Sequence, residues 1–201
     1  MARLRASGLV AALLLGALAR AETTQCDPTA PIRLEARSQD IDYKNSTLAF
    51  NSVKITQGPC AIEAEHATAT GLDFKASHWV FTGNVHITIP DGSLSSDDAR
   101  IEFASDAIAN AQISGTPATF EQKRDKRVAR GHAKHIDYDF TAATVRLRDD
   151  AELTDGEREI SGQSLVYDIR AQRLIGNAGE QSDVPITLVI KPKPPAPKPN
   201  P

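Results

Sequence analysis

The residues of this chain that could carry chemistry are five histidines, two pairs of adjacent aspartates and two cysteines. His132 and His135 have the closest spacing of the histidines, three residues apart, while His66, His78 and His86 are scattered. On a β-strand, residues three apart point to opposite faces of the sheet. We therefore expect these histidines to lie on the surface and not to share a metal ion.

The aspartate pairs, Asp97-Asp98 and Asp149-Asp150, could supply the two carboxylates of general acid–base catalysis. Both pairs lie at the start or at a corner of a predicted strand, where aspartate is a common turn residue. The sequence contains no GxSxG motif, no Walker-type phosphate loop and no zinc-protease motif. It therefore predicts no catalytic residue, no metal site and no cofactor.

The first 21 residues, MARLRASGLVAALLLGALARA, have the composition of an export signal. Arg3 and Arg5 make a basic start, and the apolar run that follows is too short to span a bilayer. Ala19-Arg20-Ala21 gives the small-x-small pattern that signal peptidase accepts. We predict that residues 1–21 are a cleaved signal peptide and that the mature protein is exported and soluble; the alternative is a cytosolic helix.

Export places Cys26 and Cys60 in an oxidising compartment, and the sequence contains no CxxC motif. An even pair there is compatible with one disulfide, which would tie the mature N-terminus to the second strand pair. Two unrelated thiols are the alternative.

The mature chain would be acidic and of single-domain size. Removal of three arginines with the signal leaves 20 basic and 26 acidic residues, a net charge of −6. That sign argues against nucleic acid as the main partner. About 180 residues remain, which is enough to bury one core.

Apolar and polar residues alternate along most of the chain, and no segment keeps a helical period. Five strand-like segments of similar pattern recur about every 30 residues, a spacing typical of stacked supersecondary units. These segments are residues 34–43, 62–70, 94–103, 128–138 and 160–168.

Each of these segments is followed by a second strand-like run that turn residues interrupt. The interruptions are Asn51-Ser52, Gly83-Asn84, Gly115-Thr116, Asp149-Asp150 and Gly176-Asn177. Alternation resumes after them, as in FTGNVHI, so we predict a corner or bulge where each strand bends and continues. Unrelated hairpin loops are the alternative.

Strand pairs of this kind bury their apolar faces only by stacking, so we predict an elongated all-β structure of two facing sheets. The inward residues would be Ile32, Leu34, Ile55, Ile62, Ile87, Ile101, Phe103, Phe120, Ile136, Tyr138, Phe140, Leu147, Leu153, Tyr167, Ile186, Leu188 and Ile190. Only 5% of residues are aromatic, and many other inward positions are small. This composition favours an interior with space for an apolar guest; a thin, well-packed sandwich is the alternative.

Several short motifs, taken in order, resemble the OstA-like family. They are FTGNVHI at 81–87, LSSDDA at 94–99, GTPATF at 115–120 and GHA at 131–133. PIRL at 31–34 and ITLVIKPK at 186–193 match the two edges of the family domain. The likeness covers the mature chain up to the tail, so we place the domain at residues 22–190 and a disordered Pro/Lys-rich tail at 191–201.

The resemblance implies a β-jelly-roll, open at both ends, that transports lipopolysaccharide in the periplasm and has no catalytic activity. It implies a bridge between an inner-membrane-anchored LptC-like subunit and an outer-membrane LptD-like subunit, with copies joined head to tail. The lipid A acyl chains would lie in an apolar groove. Two further possibilities are an adaptor β-repeat protein with a filled interior, which binds only proteins, and an exported glycan-acting enzyme with a β-solenoid fold. The enzyme would require converging carboxylates, which the sequence does not supply.

The residues expected to perform these tasks follow from their place in the motifs and from their inward phase. The acyl chains would contact Ile32, Leu34, Phe103, Phe120, Ile136, Tyr138 and Phe140. The partner-docking edges would contain Ile32, Leu34, Ile186, Leu188 and Ile190. Two features depart from the family pattern, namely an additional strand pair within residues 34–71 and the cysteine pair.

Overall fold

The computed structural model describes residues 26–27, 29–71, 74–124, 127–177 and 185–191. The predicted signal peptide and tail residues 192–201 lie outside this part. Every regular element within it is a strand: β1 (Ile32–Asp42), β2 (Thr47–Gln57), β3 (Cys60–Thr70), β4 (Ala76–Ile89), β5 (Gly92–Ala104), β6 (Ala107–Arg124), β7 (Arg127–Asp139), β8 (Thr144–Thr154), β9 (Arg158–Asp168), β10 (Arg173–Asn177) and β11 (Thr187–Ile190). No helix among the described residues has the length and apolar character needed to cross a membrane.

The strands form one continuous antiparallel sheet in chain order from β1 to β10. β9 has two partners on its far side, because β10 pairs with its second half and β11 with its first half. The five recurring segments coincide with β1, β3, β5, β7 and β9. The all-β prediction is confirmed. The structure differs from it in one respect: because the strands continue through the corners, the two facing sheets belong to one hydrogen-bonded sheet.

The predicted corners are places where the strand register shifts. Thr82 and Val85 flank a shift that contains Gly83-Asn84, whose φ angles are 78° and 49°. Asp149-Asp150 lies in a second shift, with φ angles of 64° and 58°. The residues in this left-handed conformation form a bulge that points outward. The apolar residues before and after the bulge therefore keep pointing inward.

The remaining three predicted corners have different outcomes. Ser52 has a φ of 51° and is skipped in the β1–β2 register, and Gly115-Thr116 falls inside the shift between Ser114 and Ala118. Gly176-Asn177 stays in regular register with β9 up to the end of β10. Residues 178–184, which follow it, lie outside the described part.

Bending at the corners folds the sheet into two layers. We call one of them the first layer; it contains the first halves of the odd-numbered strands and the second halves of the even-numbered strands. The second layer contains the second halves of the odd-numbered strands and the first halves of the even-numbered strands. Leu147 pairs with Ile136 in the second layer, yet its Cδ2 lies 2.7 Å from the position that a Cβ on Gly131 of the first layer would occupy. Only glycine leaves room there, so Leu147 packs across the interface between the layers.

The core lies between the layers and contains most of the predicted inward residues. Those buried are Ile55, Ile62, Ile87, Ile101, Phe103, Phe120, Ile136, Tyr138, Phe140, Leu147 and Leu153, and those partly buried are Ile32, Leu34, Tyr167 and Ile186. Leu188 and Ile190 were predicted to be inward, but their exposed fractions are 57% and 70%. They lie on a four-residue edge strand, where alternation alone does not bring a covering layer.

The interior is filled along most of its length, contrary to the expectation of open space throughout. Ile87, Leu94, Ile101 and Ile113, on β4 to β6 in the middle of the body, are each 1% exposed. Nearer β1, Trp79 stacks between Phe50 and Phe74, at centroid distances of 5.8 and 5.2 Å. Dense packing of this kind leaves little room for a guest. Cavities remain beside the last strands, between Cys26 and Phe140, and between Phe120 and Glu152.

Candidate functional site

A cavity of about 350 Å³ lies at the end of the body formed by β9, β10 and β11, which we call the C-terminal end. Both layers contribute to its wall: Gln122, Arg127, Ala129, Leu153, Asp155, Arg158, Ile160 and Leu188 come from the first, and Tyr167, Gln172 and Leu174 from the second. β10 and β11 have five and four residues, whereas β9 has 11. The short last strands therefore cover the end of the interior incompletely.

The cavity combines an apolar wall with a charged rim. Ala129, Leu153, Ile160 and Leu174 are aliphatic, while Arg127, Arg158 and Asp155 are the charged residues around the opening. Such a site suits an amphiphile whose apolar chain lies inside and whose anionic group meets the guanidinium groups.

One rim contact joins the two layers. Arg127 Nη2, on the first layer, donates a hydrogen bond of 3.1 Å to Gln172 Oε1, on the second. The Asp155 carboxylate is engaged locally, because its Oδ1 accepts hydrogen bonds from the backbone N–H groups of Glu157 and Arg158, at 3.1 and 2.8 Å. Asp155 thus shapes the turn before β9, and Arg127 helps to hold the layers together.

Gln122 is a polar residue at an inward position in the cavity wall. Its side chain follows Ala118 and Phe120 in the inward phase of β6, and only 2% of the residue is exposed. Its Nε2 donates to the carbonyl oxygen of Asp91 at 3.2 Å, while its Oε1 has no hydrogen-bond partner among the described residues. Gln122 is not among the residues predicted from the sequence, although a glutamine in an apolar inward phase was the available signal.

The opposite end, which we call the N-terminal end, is held by a disulfide and by side-chain hydrogen bonds. Cys26 and Cys60 form a disulfide, and their exposed fractions are 7% and 2%. Gln57 Nε2 donates to the carbonyl oxygens of Ala30 and Asp106, at 3.3 and 2.6 Å, and thereby joins the first layer to the second. The space beside Gln57 is about 10 Å³, too small for a ligand, while a separate cavity of about 350 Å³ lies between Cys26 and Phe140.

The seven predicted acyl-contact residues divide between the core and the N-terminal end. Phe103, Phe120, Ile136, Tyr138 and Phe140 are at most 5% exposed. Ile32 and Leu34 are partly buried on β1. All seven are described by the structure, and none belongs to the wall of the C-terminal cavity.

The structure brings three of these residues together across the layers. The Tyr138 ring stacks on Phe140 with a centroid distance of 4.2 Å, and Phe120 of the first layer meets Tyr138 edge-on at 6.3 Å. Burial raises the pKa of the Tyr138 phenol well above its usual range, so it stays neutral. This aromatic cluster is apolar, and its Phe120 lies two residues before Gln122 of the cavity wall on β6.

The predicted docking residues lie on the two free edges of the sheet. β1 is one edge, with Ile32 and Leu34 half-buried along it. At the other edge Ile186 packs against Gly162 and Gly176, while Leu188, Val189 and Ile190 are exposed. The exposed apolar surface is therefore concentrated at the C-terminal edge.

The histidines and the aspartate pairs lie on the outer surface of the sheet, several of them beside the corners. His132 and His135 both face outward, because a register shift separates them, and the expectation of opposite faces was wrong. Their Nε2 atoms lie 4.0 Å from Glu152 and 3.8 Å from Asp149, respectively. Across the described ranges, no group of three or more His, Cys, Asp or Glu side chains is arranged to hold a metal ion.

Comparison with known proteins gives a consistent result. The model of a family described as LptA/(LptD N-terminal domain) LPS transport protein matches residues 61–173, more than half of the chain. The lipopolysaccharide export system protein LptA of Haemophilus influenzae is 26% identical over 165 residues, covering 81% of this chain and 79% of that protein. LptH of Pseudomonas aeruginosa, also named a lipopolysaccharide export system protein, is 29% identical over 158 residues, covering 74% and 87%.

The fold has a counterpart among solved structures. The crystal structure of LptH, described as the LptA-homologous periplasmic component of the lipopolysaccharide transport device of P. aeruginosa, superposes with a TM-score of 0.55. The match covers 83% of this chain and 99% of that one, at 24% identity. At this identity the likeness establishes the fold alone.

Proposed function

The chain belongs to the LptA/LptD N-terminal domain family of LPS transport proteins, and from this premise we propose that it holds the lipid A acyl chains of lipopolysaccharide between its two layers while it carries them through the periplasm. Its relatives are named as export proteins, which supports transport as the task and gives no support to catalysis. The observation that carries the proposal is the C-terminal cavity, which opens into the interior between the layers.

The chemistry of the cavity fits this cargo. Each methylene that moves from water to an apolar wall contributes about 0.8 kcal/mol, so partial enclosure of a chain suffices for binding. The sugars and phosphates would remain in solvent beside Arg127 and Arg158. Binding of this kind is reversible, as a conduit requires.

Entry of a chain beyond the cavity requires the layers to separate. Phe120 and Tyr138 meet across the layers next to the cavity, and the rim bond from Arg127 to Gln172 closes the turns outside them. We propose that a bound chain replaces the contact between these rings with contacts to itself. In this way Phe120, Tyr138 and Phe140 become acyl contacts during transport, followed along the interior by Ile136, Phe103, Leu34 and Ile32.

The free sheet edges would make the bridge. An exposed edge strand can accept a partner's strand through main-chain hydrogen bonds. The β1 edge and the edge formed by β10 and β11 would therefore dock an LptC-like subunit, an LptD-like subunit or a further copy of the chain, in head-to-tail order. The exposed side chains of Leu188 and Ile190 favour the C-terminal edge as an apolar docking surface.

The filled middle of the interior favours a second candidate, an adaptor that binds proteins at its edges and holds no lipid. A photoreactive residue at Leu174, in the cavity wall, separates the two, with Ile175 next to it as an outward control that is 46% exposed. We expect lipopolysaccharide to be captured at position 174 and not at 175. If lipopolysaccharide were captured only at position 175, or did not bind saturably at all, the adaptor function would be the one supported.

A pair of substitutions measures the same property without crosslinking. Leu174→Asp places a charge in the cavity wall and should weaken lipopolysaccharide binding by about tenfold or more. Leu48→Asp, at a partly buried position of β2 in the same layer, is the matched control and should leave the affinity unchanged. Circular dichroism of both variants verifies the fold.

A further inference from the structure

The disulfide fastens the segment that precedes the first edge strand. Cys26 is bonded to Cys60, the first residue of β3. Within the same segment, the carbonyl oxygen of Ala30 accepts a hydrogen bond from Gln57 Nε2 at 3.3 Å. Since β1 begins only two residues later, at Ile32, these contacts hold the start of the edge strand in place.

The start of β1 is weakly covered by the rest of the body. β1 is the first strand of the sheet and pairs with β2. Among its first residues, Arg33 and Glu35 are exposed, while Ile32 and Leu34 are only partly buried. Edge segments with little buried surface open locally at a low free energy. The position of the first residues of β1 therefore depends strongly on the disulfide.

The two sulfur-bearing residues differ in the space around them. Cys26 belongs to the wall of a cavity of about 350 Å³ and is 7% exposed, whereas Cys60 is 2% exposed beside a space of about 10 Å³. The larger cavity is also lined by Ala104, Ala107 and Ala109, whose short side chains let the backbone of an incoming chain approach. Access helps to decide which sulfur of a disulfide a thiolate attacks. The geometry therefore favours attack at Cys26.

We propose that the Cys26–Cys60 disulfide is a thiol–disulfide exchange site for a protein dithiol, and that its reduction releases the start of the β1 edge. One thiolate of the dithiol attacks Cys26 Sγ, the S–S bond breaks, and the electron pair leaves on Cys60 Sγ. The second thiolate of the dithiol then attacks its partner's sulfur in the mixed disulfide and displaces the Cys26 thiolate. The dithiol is oxidised to a disulfide, and its two protons end on Cys26 and Cys60.

The exchange site controls docking at one end of the body. In the oxidised chain the start of β1 is held ready to accept a partner's strand through main-chain hydrogen bonds. In the reduced chain its first residues leave β2, and the strand is no longer presented. This consequence rests on the proposed function, in which the β1 edge is one of the two docking edges.

The first test identifies the attacked sulfur in the folded full chain. A thioredoxin-type protein whose resolving cysteine is replaced by serine stops the reaction at the mixed disulfide, and peptide mass spectrometry after an acid quench locates the bond. We expect at least about tenfold more mixed disulfide at Cys26 than at Cys60, in buffer without denaturant. A mixed disulfide mainly at Cys60, or one that forms only in urea, would overturn the inference.

Hydrogen exchange measures the release of the edge strand. The amides of residues 32–36 should exchange at least about tenfold faster after reduction with dithiothreitol, while those of residues 39–42, at the far end of the same strand, keep their rate. The double variant Cys26→Ala/Cys60→Ala is the matched control. It should exchange as the reduced chain does and show no response to dithiothreitol. Equal rates at residues 32–36 before and after reduction would show that the disulfide does not hold the edge, contrary to the proposal.

Sedimentation equilibrium of the full chain separates this inference from the function on which it rests. The oxidised chain should associate head to tail, and the reduced chain should associate about tenfold more weakly. Unchanged or stronger association after reduction would overturn the control of docking and leave the proposed function intact. If the oxidised chain neither associates nor binds lipopolysaccharide, while Cys26 still forms the mixed disulfide, the proposed function fails and the exchange site stands.

Discussion

The two ends of this body are built from the same repeating hairpin and differ in how they are closed. The N-terminal end is held by the Cys26–Cys60 disulfide and by Gln57, which reaches a carbonyl of the opposite layer at 2.6 Å. At the C-terminal end Arg127 donates a hydrogen bond to Gln172 of the other layer, over a cavity of about 350 Å³. A glutamine at the same place in the repeat thus holds the layers together at one end and lines a cavity at the other.

The two ends share the repeat and differ in their closure, so under the proposed function we expect the closure to decide where a guest enters. Both ends carry apolar inward runs, which end in Ile55 before Gln57 and in Phe120 before Gln122. At the N-terminal end the Cys26–Cys60 disulfide and the hydrogen bonds of Gln57 hold the strand ends together. At the C-terminal end the cover consists of two short strands, so we infer that cargo enters there first.

The largest expected effect comes from removing the covalent closure. Replacement of both cysteines by alanine frees a loop with a sequence separation of 34 and should lower the free energy of unfolding by about 2–4 kcal/mol. Urea unfolding of the double variant, beside the wild type with and without reductant, measures it. The affinity for acyl probes should change less than twofold, because the cavity lies at the other end. An affinity that falls together with stability would show that the ends are coupled.

A smaller effect is expected from opening the rim of the cavity. Gln172→Ala removes the partner of Arg127 at an exposed position, so the free energy of unfolding should fall by less than about 1 kcal/mol. Acyl probes should exchange faster, since the bond joins the two layers over the cavity, and stopped-flow fluorescence measures that rate. The matched control is Gln112→Ala at an exposed position of β6. Equal exchange rates in the two variants would show that the rim bond does not limit entry.

The smallest effect concerns acid at the N-terminal end. Thr29 donates hydrogen bonds to the Asp27 carboxylate from its hydroxyl at 2.6 Å and its N–H at 2.9 Å, which lowers the pKa of Asp27 below 3.8. Because the folded pKa is depressed, this contribution to stability is present above pH 3.8 and is lost as the pH falls through the lowered value. In Thr29→Val the pKa should move up toward 3.8, as an NMR titration of the carboxyl would record. If the pKa of Asp27 were the same in Thr29→Val, a group other than the Thr29 hydroxyl would be the cause of its lowering.

The sequence predicts the repeat and its corners well, because turn chemistry is local. Gly83-Asn84 and Asp149-Asp150 adopt left-handed φ angles where alternation breaks and resumes, as the residue types indicate. The residues predicted to point inward on the central strands are buried, because these strands have a neighbouring strand on both sides. On β11, a short edge strand without a covering layer, Leu188 lines the cavity but stays 57% exposed, and Ile190 is 70% exposed.

The candidate site was harder to predict, since it depends on how distant segments meet. Arg127 and Gln172 are 45 residues apart, and no local pattern indicates that the turns carrying them face each other. The outward position of both His132 and His135 depends on a register shift that the sequence does not mark with a turn residue. Gln122 was within reach of prediction, because a polar side chain in an apolar phase requires a partner.

The continuous sheet has a consequence for how proteins of this kind can change in length. Every hairpin contributes to both walls at once, so duplication of one unit such as β6–β7 would extend the enclosed space by two strand spacings, about 10 Å. The duplicated unit must keep its corner residues, because a slip of one residue turns the apolar side chains outward. Growth by whole hairpins therefore preserves a passage that shorter insertions would interrupt.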